Sequence, residues 1–265
     1  MSIKIGMIHY NFAGTIDDFL AYCSKTGFEY LELQAGSIAG DNLEKAAEEL
    51  RRKVDNHNLK VTAFAVGNDF VVLDPEEIKN QVDRTERMAN LANILGAKTL
   101  RMEGGSPKDT VPETQWVEAM ANCLELCVEQ FAARDQVKLA VDNHGVVTND
   151  GDLMLELIQR VNSPWVGTCL DTMNYRWFGH ELETVGRYYE ILAPHVLHLH
   201  LKDGRGSRGN YQGEALGEGE IDFDHLGSIL KEGCPNASFI PEIWQGHKNG
   251  GEGFWIAMDK LEGKI

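Results

Sequence analysis

Val196 to Asp203 reads Val-Leu-His-Leu-His-Leu-Lys-Asp. The alternation predicts a half-buried strand, with His198 and His200 two residues apart and therefore on one face. Two imidazoles, an ammonium and a carboxylate gathered at a strand end can hold a metal ion or move a proton. An edge strand with one polar face is the plain alternative. Three other short apolar runs weigh against it, because each also ends in an acid. Lys138 to Asp142 leads into Asn143 and His144, Trp165 to Asp171 into Thr172 and Asn174, and Ser238 to Glu242 into Trp244 and Gln245.

Asp142, Asp171, His200 and Glu242 recur at intervals of roughly 30 residues, the length of one strand-helix unit in an eightfold α/β barrel. The last interval is longer by about the length of the loop after Asp203. All four would then sit at the carboxyl ends of successive parallel strands. Three carboxylates aimed at one small volume repel one another, and burying them uncompensated would be very costly. A divalent cation removes that cost. Three oxygens and one imidazole form a hard-to-borderline set that favours Mn²⁺, with Mg²⁺, Co²⁺ and Zn²⁺ as the other choices. The absence of thiolates from the set argues against a structural zinc site.

The elements that must position these residues follow from pattern. Strands are expected at Ile3–His9, Phe28–Leu33, Leu59–Val66, Lys98–Met102 and the four runs above. Helices are expected after each, including Asn42–Asn56, Pro75–Leu95, Val111–Ala133, Leu182–Leu192 and a final one at Phe254–Leu261. Glu103 follows the fourth strand and precedes a glycine pair, which either lets backbone approach a ligand or is a simple turn. Tyr175 to Phe178 lie in a segment expected to be irregular; they would wall a sugar pocket or pad the rim. Asp203 to Ile221 is expected to be a long glycine-rich loop, with Arg205 and Arg208 in it and a functional or mobile role. His247 lies in the loop after the eighth strand. Eight alternating units predict an α/β fold, a (β/α)8 TIM barrel, with residues 1–265 as a single domain.

Composition narrows the function. The chain has 265 residues and a formal net charge of −16, with 41 acidic against 25 basic residues. That excess speaks against nucleic acid and anionic membranes as partners and leaves a small neutral polar molecule or a cation. The five cysteines are odd in number and form no Cys-x-x-Cys pair, the N-terminus has no signal-peptide pattern, and no run is long enough to span a bilayer. A cytoplasmic protein is expected.

The chain resembles the sugar isomerase and epimerase superfamily with a xylose isomerase-like barrel, which includes ketose 3-epimerases, inosose isomerases and dehydratases and hydroxypyruvate isomerases, and is related to endonuclease IV. The residues that carry the resemblance are Val-Asp-Asn-His at 141–144, Gly-Thr-Cys-Leu-Asp-Thr-Met-Asn at 167–174, His-Leu-His-Leu-Lys-Asp at 198–203, Leu-Gly-Glu-Gly-Glu-Ile-Asp-Phe at 216–223 and Pro-Glu at 241–242. The resemblance implies Asp142, Asp171, His200 and Glu242 as metal ligands, with His198 and Lys202 bordering the site. One departure is Asp142, where the superfamily usually has a glutamate that also serves in acid-base chemistry. The shorter side chain makes His144 a candidate base beside Glu242.

The expected reaction is metal-polarised proton abstraction next to a carbonyl, through a stabilised enediolate, on a ketose, keto-sugar or keto-inositol. Asp142, Glu242, His144 and Lys202 are the candidate catalytic residues, and His198, Asn174, Glu103, Arg205, Trp244 and His247 the candidate substrate contacts. The alternatives are a lyase of inosose-dehydratase or deglycosidase type on the same site, a non-catalytic subunit, and an endonuclease IV-like nuclease. The expected partner is a small sugar or polyol-derived substrate, and the expected assembly a homo-oligomer.

Overall fold

The computed structural model describes residues 6–233 and 238–241. In chain order the strands are β1 (Gly6–Ile8), β2 (Tyr30–Gln34), β3 (Lys60–Ala65), β4 (Thr99–Met102), β5 (Lys138–Asp142), β6 (Val166–Asp171), β7 (Val196–Leu201), β8 (Asp203–Ser207), β9 (Asn210–Glu214) and β10 (Ser238–Pro241). The helices are α1 (Ile16–Thr26), α2 (Leu43–Asn56), α3 (Pro75–Leu95), α4 (Trp116–Cys127), α5 (Ala133–Asp135), α6 (Gly151–Val161), α7 (Asn174–Phe178), α8 (Leu182–Leu192) and α9 (Phe223–Gly233). A π-helical turn, Val128–Ala132, joins α4 to α5. The order β1-β2-β3-β4-β5-β6-β7-β10 makes one eight-stranded sheet, parallel at each pairing along it. β10 also comes up against β1, so the sheet curls back on its first strand as a (β/α)8 barrel requires.

Local chemistry starts and stops the helices where the sequence places them. Thr15 and Asp18 form a reciprocal capping box ahead of α1, and Gly27, in the left-handed region at φ 87°, ends it. Asp74 caps α3, Pro75 opens it and Gly96 closes it. Asp150 caps α6, and Asp222 accepts the His225 N–H at 3.0 Å at the start of α9.

Two segments differ from expectation. Met173 to His180 is not irregular: Asp171 Oδ1 accepts the N–H groups of Met173 (2.9 Å) and Asn174 (3.1 Å) and so starts the short helix α7. Asp203 to Ile221 is not a structureless loop either. It opens with the antiparallel hairpin β8–β9 and folds back over the Asp203 carboxylate, which accepts the N–H groups of Gly204, Gly217, Gly219 and Ile221 at 2.8–3.2 Å. One buried anion thus gathers a segment that has little side-chain volume of its own. The expected final helix at 254–261 lies outside the described residues.

The core is continuous, running from Phe19 and Leu20 on α1 to Leu226 and Leu230 on α9. Cys23, Cys123, Cys127 and Cys169 are buried and free. No helix among the described residues is long and apolar enough to cross a membrane.

His9, just past β1, packs its ring on Phe19 at 5.0 Å and bonds Ser37 Oγ at 3.0 Å, and burial lowers its pKa. The folded chain therefore takes up that proton less readily than the unfolded chain, so stability falls as pH drops through about 6.5. Urea unfolding followed from about pH 7 to about pH 5 should show a shallower loss in His9→Asn than in wild type.

Candidate functional site

Glu32 lies at the centre of the barrel and is fully buried. Its Oε2 is 2.7 Å from Nε2 of His198 and 2.7 Å from Nε2 of His200. A carboxylate placed between two imidazoles fixes both rings with Nε2–H donating, and turns both Nδ1 atoms away from it. Burial works to raise the Glu32 carboxyl, but the His200 charge and the bonds from His198 and His200 outweigh it and hold the group well below its ordinary range. His198 is shifted downward, chiefly by burial. The register of β2 against β3 slips between Leu31 and Glu32, and that of β6 against β7 between Thr168 and Cys169. Irregularities of this kind re-aim side chains beside active sites.

Arg101 on β4 is the second central group. Its Nε is 3.2 Å from Asp142 Oδ2 and 3.6 Å from Glu32 Oε1, and Nη1 bonds Glu103 Oε1. Burial alone would disfavour its charge; Asp142, Glu103 and Glu32 together hold it protonated. Glu103 Oε2 is also 3.2 Å from His144 Nδ1. Burial opposes ionisation of Glu103, but His144 and Arg101 prevail and bring its pKa to about 2. The bond to Glu103 raises His144 in turn. Asp142 goes the other way. Burial pushes it up to about 6 against the pull of Arg101 and His200.

Side-chain latches hold the strand ends together. Asn143 accepts the Asp171 N–H at 2.7 Å and donates to the Asp171 carbonyl at 3.0 Å. Thr172 Oγ1 donates to the Lys202 carbonyl at 2.6 Å and accepts the Lys202 N–H at 2.7 Å. The Lys202 ammonium is thereby placed 2.7 Å from Asp171 Oδ2 and 3.5 Å from Asn174 Oδ1.

These groups open onto a cavity of about 430 Å³ at the carboxyl ends of the strands. Glu103, Asp142, His144, Asn174 and Lys202 line it, together with Arg101. His144 is the most exposed of this group, its side chain 59% accessible. Asp171 and His200 lie directly beneath, with Asp171 Oδ2 3.9 Å from His200 Nδ1. Glu242, Trp244 and His247 lie outside the described residues.

Two expected substrate contacts are placed elsewhere. His198 is fully buried against Glu32 and does not line the cavity. Arg205 points away on the hairpin, where it bonds the Glu218 carbonyl and lies 3.8 Å from Glu214. Of the two roles open to the aromatic segment, padding is the one seen. Tyr175 is buried against Tyr188 and Trp177 stacks on Tyr211 at 4.9 Å. The glycine pair likewise serves packing, since a Cβ at Gly104 would come within 2.3 Å of Thr148 Cγ2.

Glu32 and Arg101 are not among the site residues expected from sequence. Their signal is nevertheless present: each is a charged residue flanked on both sides by apolar ones within a strand, Leu-Glu-Leu at 31–33 and Leu-Arg-Met at 100–102.

The donor set suits a divalent cation. Asp142 Oδ1 and Glu32 Oε1 are buried oxygens with no hydrogen-bond partner among the described residues. Neutral imidazole with carboxylate oxygen is ordinary divalent-metal chemistry. A second grouping lies deeper, where ligand atoms of Cys169, His198 and His200 fall within 4.8 Å of one another.

The model of a family described as xylose isomerase-like TIM barrel matches residues 20–259. A search of curated proteins returns no match. Solved structures with the same fold include an IolI protein with a bound zinc atom, 18% identical, with a TM-score of 0.78 over 98% of this chain and 97% of that one. A probable 3-DHS dehydratase, AsbF, from Bacillus anthracis is 18% identical, with a TM-score of 0.76 over 99% of this chain and all of its own. The 3-keto-D-glucoside 4-epimerase YcjR from E. coli is 16% identical, with a TM-score of 0.76 over 98% and 99%. At these identities the likeness is one of fold.

Proposed function

The chain belongs to the xylose isomerase-like TIM barrel family, and from that premise we propose that it is a divalent-metal-dependent isomerase or epimerase acting on a ketose, keto-sugar or keto-inositol. The observation that carries the reading is the gathering of Asp142, Asp171 and His200 from three successive strands, Asp142 lining one cavity and the other two buried beside it, with a hydrogen-bonded Glu103–His144 pair in the cavity wall. Asp142, Asp171 and His200 are the described residues that would hold the cation, with Glu242 as the expected fourth. A bound divalent cation, Mn²⁺ by preference, would supply Lewis-acid polarisation of a substrate carbonyl and so acidify the neighbouring C–H.

The chain's own groups do the rest. Glu103 fixes the tautomer and direction of His144 through Nδ1, leaving Nε2 to take or return a proton at the substrate carbon. Lys202, held by Asp171, provides positive charge for an oxygen that gains negative charge during the reaction. Asn174 offers an amide to a hydroxyl. The small-molecule substrate expected from composition is consistent with a cavity of this size.

A lyase is the second reading, favoured by the raised pKa of His144, which would let it protonate a leaving hydroxyl or aglycone oxygen. Incubation of a ketose panel in deuterated water separates the two. Exchange of the proton next to the carbonyl without elimination means isomerase or epimerase chemistry; an unsaturated product means a lyase. Chelation should abolish either activity and added Mn²⁺ should restore it. Turnover that survives complete chelation would end the metal-dependent reading.

A further inference from the structure

We infer that the substrate carries an anionic group, a carboxylate or a phosphate, remote from its reacting carbon, and that Arg84 receives it; this deepens the proposed sugar chemistry and rests on it. The cavity has two unlike sides. On the side built by β4 to β7 the cations are matched by acids: Arg101 by Asp142 and Glu103, Lys202 by Asp171. The adjoining side, built from the ends of β2 and β3, presents small or neutral groups such as Gln34, Gly36 and Gly67. Arg84, reaching in from α3, is the charged residue there.

Arg84 donates through Nη1 to the Gly67 carbonyl, and among the described residues no carboxylate pairs with it. Other cations of the chain do meet acids, as Arg51 does in Asp55, Lys53 in Asp17, Lys79 in Asp83 and Arg187 in Asp152; what sets Arg84 apart is its place on the cavity wall. Gly67 has φ 62°, a conformation that favours glycine, and its carbonyl braces the guanidinium at the cavity wall. A guanidinium has five N–H donors in a planar fork, and one bond to a carbonyl leaves enough for two-pronged recognition of a carboxylate or phosphate. Set at the end of β3, two strands round the barrel from Asp142 and His144 at the end of β5, it would help fix which end of the substrate enters first.

The test is calorimetric binding to the full chain supplied with Mn²⁺, using three ketoses that differ at one carbon: D-fructose, D-fructuronate and D-fructose 6-phosphate. Wild type should bind at least one of the two anions about tenfold or more tighter than fructose, the scale of a charge-assisted pair. Preference for one anion or the other then identifies carboxylate or phosphate as the group. Arg84→Met should bring the anions down to the fructose level with fructose affinity unchanged, and Arg84→Lys should keep part of the preference. Equal affinity for all three in wild type, or a preference that survives in Arg84→Met, would overturn the inference and leave Arg84 as a brace for the Gly67 loop. Failure of all three to bind folded wild-type protein would overturn the sugar reading together with it, whereas fructose binding without anion preference overturns this inference alone.

Discussion

Replacing Glu32 by alanine is expected to cost about 3–5 kcal/mol, the penalty for removing one partner from a buried ionic set. The variant leaves His198 and His200 without the acceptor that each now has at 2.7 Å, and takes from Arg101 one of its three carboxylates. The two imidazoles cannot turn to water, since both are fully buried, and the Arg101 side chain is only 16% exposed. For a chain of this size the loss corresponds to a melting temperature lower by on the order of 10 °C, read by circular dichroism. Asp17→Ala is the control, because its pair with Lys53 is mostly exposed and should be nearly silent. A melting temperature for Glu32→Ala within about 2 °C of wild type would mean that the cluster carries little of the stability.

Asp142→Asn is expected to separate activity from stability. The substitution keeps the size of the side chain and removes its charge, while Arg101 retains Glu103 and Glu32 as partners. Folding should be little affected. Proton exchange next to the carbonyl should fall by about 10²- to 10⁴-fold, the range expected when a carboxylate that serves the reacting centre is neutralised. The expectation follows from the environment of Asp142: one oxygen is held by Arg101, the other is buried with no hydrogen-bond partner among the described residues, and burial lifts the pKa to about 6. A group so placed is matched to metal binding or to proton transfer near neutral pH. If the Asp142→Asn variant supported exchange at the wild-type rate, Asp142 would be only a counter-ion for Arg101.

Much of this protein is legible without coordinates. Strand and helix periodicity determines the parallel α/β barrel, because a period of two interleaved with one of 3.6 leaves few other ways to bury both faces of each strand. Capping residues such as Thr15, Asp74 and Asp150, and the glycines at 27 and 96, set helix limits locally. The recurrence of Asp142, Asp171 and His200 at strand ends likewise places them at one rim, since every parallel strand ends on the same side.

Tertiary structure decided the rest, through contacts between residues far apart in the chain. Glu32 and His198 are neighbours only because the sheet closes on itself, and nothing local to either says so. Spacing puts His198 and His200 on one face but does not say how deep that face lies; the barrel buries His198 beneath the cavity floor. The charge assigned to a cation from three converging acids is carried in part by Arg101 and Lys202, a balance that depends on distances of 2.7–3.6 Å. Arg205 and Arg84 make the same point in opposite directions. A charged side chain in a glycine-rich stretch looks available for substrate and is engaged on the hairpin, while one within a helix of ordinary surface pattern reaches the cavity. Composition and period determine which faces are buried, and only the closed three-dimensional arrangement determines which buried charges meet.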